Sequence, residues 1–233
     1  LTDNLLPGRS FFNSTENQDG NDIDTSGHGS HVAGIIAAVA NNGIGGSGVA
    51  PNAKILPIKV LDQAGQGDAR DVAAGVRFAA DSGAKVINLS LGGATESLSL
   101  TQAIQYATDK GSLVVAAAGN GGPTDRPKWP ASLDLTIAVT AVDSSNNAPS
   151  FDQRGDYIDI AAPGANVVST AKGDYGILSG TSMAAGFVAG AAALLFAAEP
   201  RVTNAQVRDI LLRTATDIGE PGRDVTFGFG LIN

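Results

Sequence analysis

Cysteine is absent from this chain of 233 residues. Its absence excludes a disulfide framework, a thiolate nucleophile and any metal site built on cysteine, and it suits either redox compartment. Basic side chains are scarce, 15 Lys and Arg against 23 Asp and Glu, for a formal charge of −8. Such a balance gives no footing for nucleic acid, which needs a basic surface, or for an anionic membrane. Neither is expected as a partner. No signal-peptide pattern is read, and no transmembrane span is expected. The longest apolar stretch, around 183–198, is rich in Ala and Gly and follows a cap signal, which predicts a buried helix. Histidine occurs only twice, at 28 and 31.

Glycine, by contrast, is abundant. Thirty of them lie in turns and helix starts without a repeat, as in a compact fold with close backbone approaches. The length suits one sizeable core, and no linker divides it. Residues 1–27 read as polar loop with a short strand at Ser10-Phe11-Phe12. The patterning then predicts a helix over His28–Asn41, a strand over Lys54–Leu61 and a helix through about Ser82 capped by Asp68. Strands follow at Val86–Leu91, Leu113–Ala118, Leu135–Val142 and Tyr157–Ala161, with a helix from Ser97 or Ser99 to Lys110 and a last one over Asn204–Arg213. Alternating short apolar strands and helices imply an α/β fold, a mostly parallel central sheet with helices on both faces. Sites in such sheets form outside the carboxyl ends of the strands, where Gly92, Asn120 and the loop before Ser182 would lie.

Three segments carry chemistry. Gly180-Thr181-Ser182-Met183-Ala184-Ala185-Gly186 opens the buried helix, so the Ser182 hydroxyl stands beside unpaired backbone N–H groups able to hold developing negative charge. Gly27-His28-Gly29-Ser30-His31-Val32-Ala33-Gly34 opens an apolar helix, and Ala116-Ala117-Ala118-Gly119-Asn120 ends an apolar strand. Each has a plainer reading: Ser or Thr as a helix cap, His as packing, Asn as a turn residue. The His28-x-x-His31 spacing also admits a metal pair, but it lacks the Glu of the zincin motif and a third ligand.

Together and in this order, the three segments resemble the signature segments of the subtilisin-like serine proteases (the subtilases), and the likeness runs over essentially the whole chain. It implies a three-layer subtilisin-like fold, a single peptidase domain over residues 1–233, and a serine endopeptidase acting through an acyl-enzyme. Ser182 would be the nucleophile, His28 the general base and Asn120 an oxyanion donor, with His31 structural. Ser90-Leu91-Gly92 resembles the strand that pairs with substrate and lines the primary pocket, and Gly65-Gln66-Gly67 resembles the opposite wall. With the small Ala117, Ala118 and Gly119 alongside, the resemblance implies a roomy, mainly apolar pocket and broad specificity. The loop Ala40-Asn41-Asn42-Gly43-Ile44-Gly45-Gly46 resembles one that holds a structural calcium through Asn42 and the backbone oxygens of Ala40, Ile44 and Gly46, completed by an N-terminal carboxylate at Asp3, with Asn4 aligning about as well. No organic cofactor is implied. Partners would be protein or peptide substrates, with a propeptide or separate N-terminal fragment, and the setting secreted or extracellular.

The resemblance breaks in two places. The family's catalytic aspartate lies in an apolar-Asp-Thr/Ser-Gly strand upstream of everything in this sequence, and Asp22 and Asp24 align instead with the loop that leads to the histidine. The alternatives are therefore an impaired or inactive homologue that binds peptides, or a gene fragment. Beside the nucleophile, Gly186-Phe187 stands where the family has Pro-His, which predicts altered packing at the serine helix.

Overall fold

A computed structural model describes residues 1–12, 15–17 and 24–233. Asp22 lies outside the described residues. Four parallel strands form the main sheet: β4 (Val86–Leu89), β5 (Leu113–Ala117), β6 (Thr136–Val142) and β7 (Ile160–Pro163), hydrogen-bonded in that order. A smaller sheet holds β1 (Arg9–Phe12) between β2 (Thr15–Asn17) and β3 (Ile58–Lys59), and β8 (Val167–Ala171) pairs with β9 (Asp174–Leu178) as an antiparallel hairpin.

Period-two alternation divides the core between two faces of the main sheet. Val114 and Ala116 of β5 join Ile87 and Leu89 of β4 beneath the helices α2 (Ala69–Asp81) and α3 (Leu98–Asp109). Leu113, Val115 and Ala117 face the other way, with Ile137, Val139 and Ile160, against α4 (Thr181–Ala198) and α5 (Asn204–Thr214). By length and composition α4 could cross a membrane, but Ala184, Ala185, Val188, Ala189 and Ala192 are packed into this core. Asp68 caps α2 by accepting from the Arg70 N–H at 2.8 Å, and Thr203 with Gln206 forms a capping box on α5.

The first helix, α1 (His28–Ala37), is shorter than expected. Ala38 leaves helical geometry, and the glycine-rich loop returns so that the N–H groups of Gly48, Val49 and Ala50 donate to the carbonyls of Ala38, Ile35 and Ile36. The strand expected over Lys54–Leu61 shrinks to β3, joined by a single bridge between Leu5 and Ile55.

α1 lies on α4 where the serine helix carries no side chain. A Cβ at Gly186 would sit 3.2 Å from Ile35 Cγ2 and 3.4 Å from Val32 Cγ1, and Phe187 packs beside them. One turn later, a Cβ at Gly190 would meet Val49, whose N–H is bonded to Ile35. Val32 and Ile35 of α1 and the returning Val49 thus lie along the stripe of α4 that Gly186 and Gly190 leave bare. His28 is one turn before Val32 and Ser182 one turn before Gly186, on the facing stripes. Glycine at 186 leaves this contact without the tight fit that a Cβ would have there.

Candidate active site

Four elements carry the candidate residues. Ser90 and Asn120 leave the carboxyl ends of the adjacent strands β4 and β5, Ser182 stands in the first turn of α4, and His28 opens α1. Ser182 is 7% exposed; its Oγ donates to the Ser90 carbonyl across a long 3.4 Å, and the Ser90 hydroxyl donates to the Ser182 carbonyl at 2.8 Å. Asn88 Nδ2 in turn donates to Ser90 Oγ at 2.9 Å, which sets the direction of that hydroxyl.

Asn120 is held by one end. Its Oδ1 accepts from the Thr181 N–H at 2.9 Å and from the Thr181 hydroxyl at 3.0 Å, while Thr181 Oγ1 accepts from the Gly119 N–H at 3.1 Å. Among the described residues the amide nitrogen makes no hydrogen bond, and it lies 3.1 Å from where a Cβ on Gly180 would stand. The Ser182 N–H, in the first turn, has no acceptor within its own helix. Two donors are therefore available at the turn that opens α4. Ala118 is fastened separately, by the Tyr157 hydroxyl donating to its carbonyl at 3.2 Å. Burial, with the charges of Asp152 and Asp125, pushes that phenol up to about 12, so it remains a donor.

Burial lowers the pKa of His28; Asp24 opposes the shift and His31 adds to it. Among the described residues no hydrogen bond engages its ring. Asp24 does not serve as its partner: Oδ1 accepts from the Ser26 and Gly27 N–H groups and the Ser26 hydroxyl, and Oδ2 from the Ser30 N–H at 2.7 Å. Burial pushes the Asp24 carboxyl up, but its bonds to Ser30 and Gly27 prevail and hold it at about 2. It is the anionic cap of α1. His31 is fully buried, with Nε2 3.0 Å from the Val167 carbonyl and 3.2 Å from that of Gly176, so it ties α1 to the β8–β9 hairpin. Among the described residues no cluster of three His, Asp or Glu could hold an ion, so the His28–His31 pair has no third ligand of that kind.

The calcium loop fits only in outline. Residues 39–47 enclose an open cavity of about 320 Å³. Asn42 Oδ1 accepts from the Ile44 N–H at 3.0 Å, and the remaining expected donors are the neutral carbonyls of Ala40, Ile44 and Gly46. Asn4 does not complete the set. Its Nδ2 donates to the Ala37 and Pro51 carbonyls at 2.9 and 2.7 Å, and its Oδ1 accepts from Lys54 Nζ, which also donates to the Asp3 carbonyl. The four neutral oxygens named for this loop fall short of the roughly six to eight that calcium takes, and the Asp3 carboxylate is the one charged group expected to add to them. These residues do not make a complete calcium site.

Ser90, Leu91 and Gly92 follow β4 and Ala118 and Gly119 follow its neighbour β5, whose last paired residues are Leu89 and Ala116. Gly65-Gln66-Gly67 is a turn, with Asp62 Oδ1 accepting from the N–H groups of Ala64 and Gln66. Lys128 and Gln153 lie against the two glycines. A Cβ on Gly92 would meet Lys128 Cβ at 3.3 Å, and one on Gly119 would meet Lys128 Cγ at 2.8 Å and Gln153 Oε1 at 1.6 Å. Lys128, Gln153 and the anchoring role of Thr181 had no local signal, since each acts on residues remote in sequence.

This geometry can be set beside known proteins. The sequence matches the Subtilase family over residues 4–230. It is 46% identical over 232 residues to an alkaline protease of Alkalihalobacillus alcalophilus, covering 99% of this chain and 58% of that protein. Subtilisin Savinase of Lederbergia lenta is 46% identical over 232 residues, covering 99% of this chain and 82% of its own length. Subtilisin E of Bacillus subtilis (strain 168) is 46% identical over 236 residues, at 99% and 60%. The chain thus spans little more than half the length of two of these three relatives. Among solved structures, S41 Psychrophilic Protease superposes with a TM-score of 0.93 at 37% identity, covering all of this chain and 85% of that one. Sphericase does so with a TM-score of 0.93 at 34% identity. By sequence and by fold, the chain belongs to the subtilase family.

Proposed function

We propose that this chain forms the catalytic body of a serine endopeptidase that cleaves protein or peptide substrates through an acyl-enzyme. Ser182 Oγ attacks the scissile carbonyl, His28 takes its proton and returns it to the leaving amine, and Asn120 Nδ2 with the Ser182 N–H holds the oxyanion. The observation that carries this reading is the clamp on Asn120: Thr181 engages only the amide oxygen, which leaves the N–H₂ group as a pre-aimed donor next to the nucleophile's turn. An asparagine serving merely as a turn residue has no need of that orientation.

The carboxylate that orients His28 comes from polypeptide outside this sequence. Among the described residues β3 pairs only with β1 and β4 only with β5, yet both edges border one core beneath α2. An added parallel strand between them would pair both edges and bring an acid toward α1. Without it, activity is low rather than nil: in subtilisin, loss of the triad aspartate alone lowers kcat by about 3 × 10⁴. Secretion and a propeptide partner accompany this reading by family likeness.

Because Asp24 is committed to capping α1, a second reading is a peptide-binding subtilase that does not turn over. A fluorophosphonate probe separates the two. Labelling of the chain that disappears in S182A and weakens in H28A supports the peptidase. Unlabelled protein that still binds an extended peptide supports the binding module.

A further inference from the structure

We infer that Lys128 limits the primary pocket to small side chains such as those of alanine and serine; this rests on the peptidase reading of the same groove. The two walls of that pocket are the backbones at Gly92 and Gly119, both bare of side chains. The Lys128 stem lies against each, Cβ toward Gly92 and Cγ toward Gly119, at the separations given above. It bridges the gap in which a long substrate side chain would be sandwiched.

Three contacts keep it there. Trp129 exchanges both backbone hydrogen bonds with Gly93, at 2.8 and 2.9 Å, which fixes the chain next to Lys128. Lys128 Nζ is paired with Asp125 Oδ2 at 2.8 Å, and that carboxylate lies over Gly121, where a Cβ would come within 1.8 Å of it. Beside the Lys128 stem, on the same side of Gly119, the fully buried Gln153 donates from Nε2 to the Arg126 carbonyl at 2.6 Å and turns toward the glycine its Oε1, which has no hydrogen-bond partner among the described residues. Methylenes and an amide therefore fill the volume that a phenylalanine ring would need. Asp125 neutralises the ammonium, so the discrimination is by size rather than by sign of charge. An ion pair this exposed is weak, so a large side chain is disfavoured and not forbidden.

The test compares extended peptides that differ only in alanine or phenylalanine at the residue before the scissile bond. Both kcat/KM in the intact active site and Kd in an S182A background are measured, so that binding is read without turnover. We expect the alanine peptide to be preferred by about tenfold or more. K128A should erase that preference by raising affinity for the phenylalanine peptide. D125A, which keeps the stem but releases the ammonium, should fall between. If the Kd ratio follows this order while no peptide is turned over, the pocket assignment stands and the peptidase reading falls. If peptides are cleaved but phenylalanine is preferred, or K128A leaves the ratio unchanged, the pocket assignment is overturned. Absence of binding by either peptide overturns it as well.

Discussion

Asn120 Oδ1 and the Thr181 N–H lie 2.9 Å apart, joining the end of β5 to the first turn of α4 across 61 residues of sequence. The Thr181 hydroxyl adds a second bond to the same oxygen and accepts from Gly119, so the oxyanion donor and the nucleophile's helix are one hydrogen-bonded unit. Removing the donor, as in N120A, should lower kcat with little change in KM; the magnitude known from subtilisin is about 10²–10³. T181V keeps the backbone bond but loses the hydroxyl. With a hydrogen bond contributing about 0.5–1.5 kcal/mol, it should cost up to roughly tenfold in kcat, again with KM preserved. A T181V enzyme as fast as the parent would show that the hydroxyl does not position the amide.

The His28 imidazole has to be neutral to accept a proton. Burial lowers its pKa from the ordinary 6.5, against the pull of Asp24. The acid limb of kcat/KM should therefore fall below the pH at which a free imidazole titrates. D24N removes the nearby negative charge while retaining an acceptor oxygen for the α1 cap, so the limb should move lower still. Proton NMR of the two histidines follows the same titration in protein without substrate. An acid limb above 6.5, or an upward move in D24N, would contradict the assignment.

Much of this site was legible in the sequence because the relevant signals were local. Ser182 and His28 open apolar helices, and Asn120 ends an apolar strand, patterns that survive whatever packs around them. Helix α2 was bounded correctly because Asp68 supplies its cap within two residues. The β8–β9 hairpin was missed, since Val168 and Ile177 are exposed while Ser169 is buried, which inverts the expected alternation. That hairpin forms against α1, where Ser169 and Thr170 donate to the His31 and Ser30 carbonyls, and no window of sequence contains both partners. Lys128 reads as an ordinary surface cation for the same reason.

Asp152 offers a check on the core behind the site. It is 1% exposed; burial pushes its carboxyl up to about 6, although the Thr140 hydroxyl, the Ala141 N–H and the charge of Arg154 favour the anion. An acid whose pKa is raised on folding favours the folded state when protonated. Stability should thus decline as pH rises from about 4 toward about 6, then level off. D152N can still accept from Ala141 and bond Thr140 without carrying charge, so its Tm should be flatter across that window and should not fall at pH 8. A D152N protein with the parent's pH dependence would place the titration elsewhere.

Lys54 and Asn4 tie down the N-terminal segment where the family likeness calls for a metal. Asn4, 4% exposed, bridges the carbonyls of Ala37 and Pro51 on either side of the glycine-rich loop, and the Lys54 ammonium caps its remaining oxygen together with the Asp3 carbonyl. An ammonium already bonded to these two oxygens supplies the positive charge that a divalent ion would bring, and repels one arriving beside it. Millimolar calcium or a chelator should therefore move Tm by no more than about 1 °C. N4A, which strips two carbonyls of their donor, should cost about 1–3 kcal/mol, a fall of several degrees at roughly 2–4 °C per kcal/mol for a chain of this size. K54M, at an exposed site, should cost less. Thermal melts of the three proteins with and without calcium decide the matter: a rise of many degrees on adding calcium, abolished by N42A, would return the loop at 39–47 to the role of a metal site.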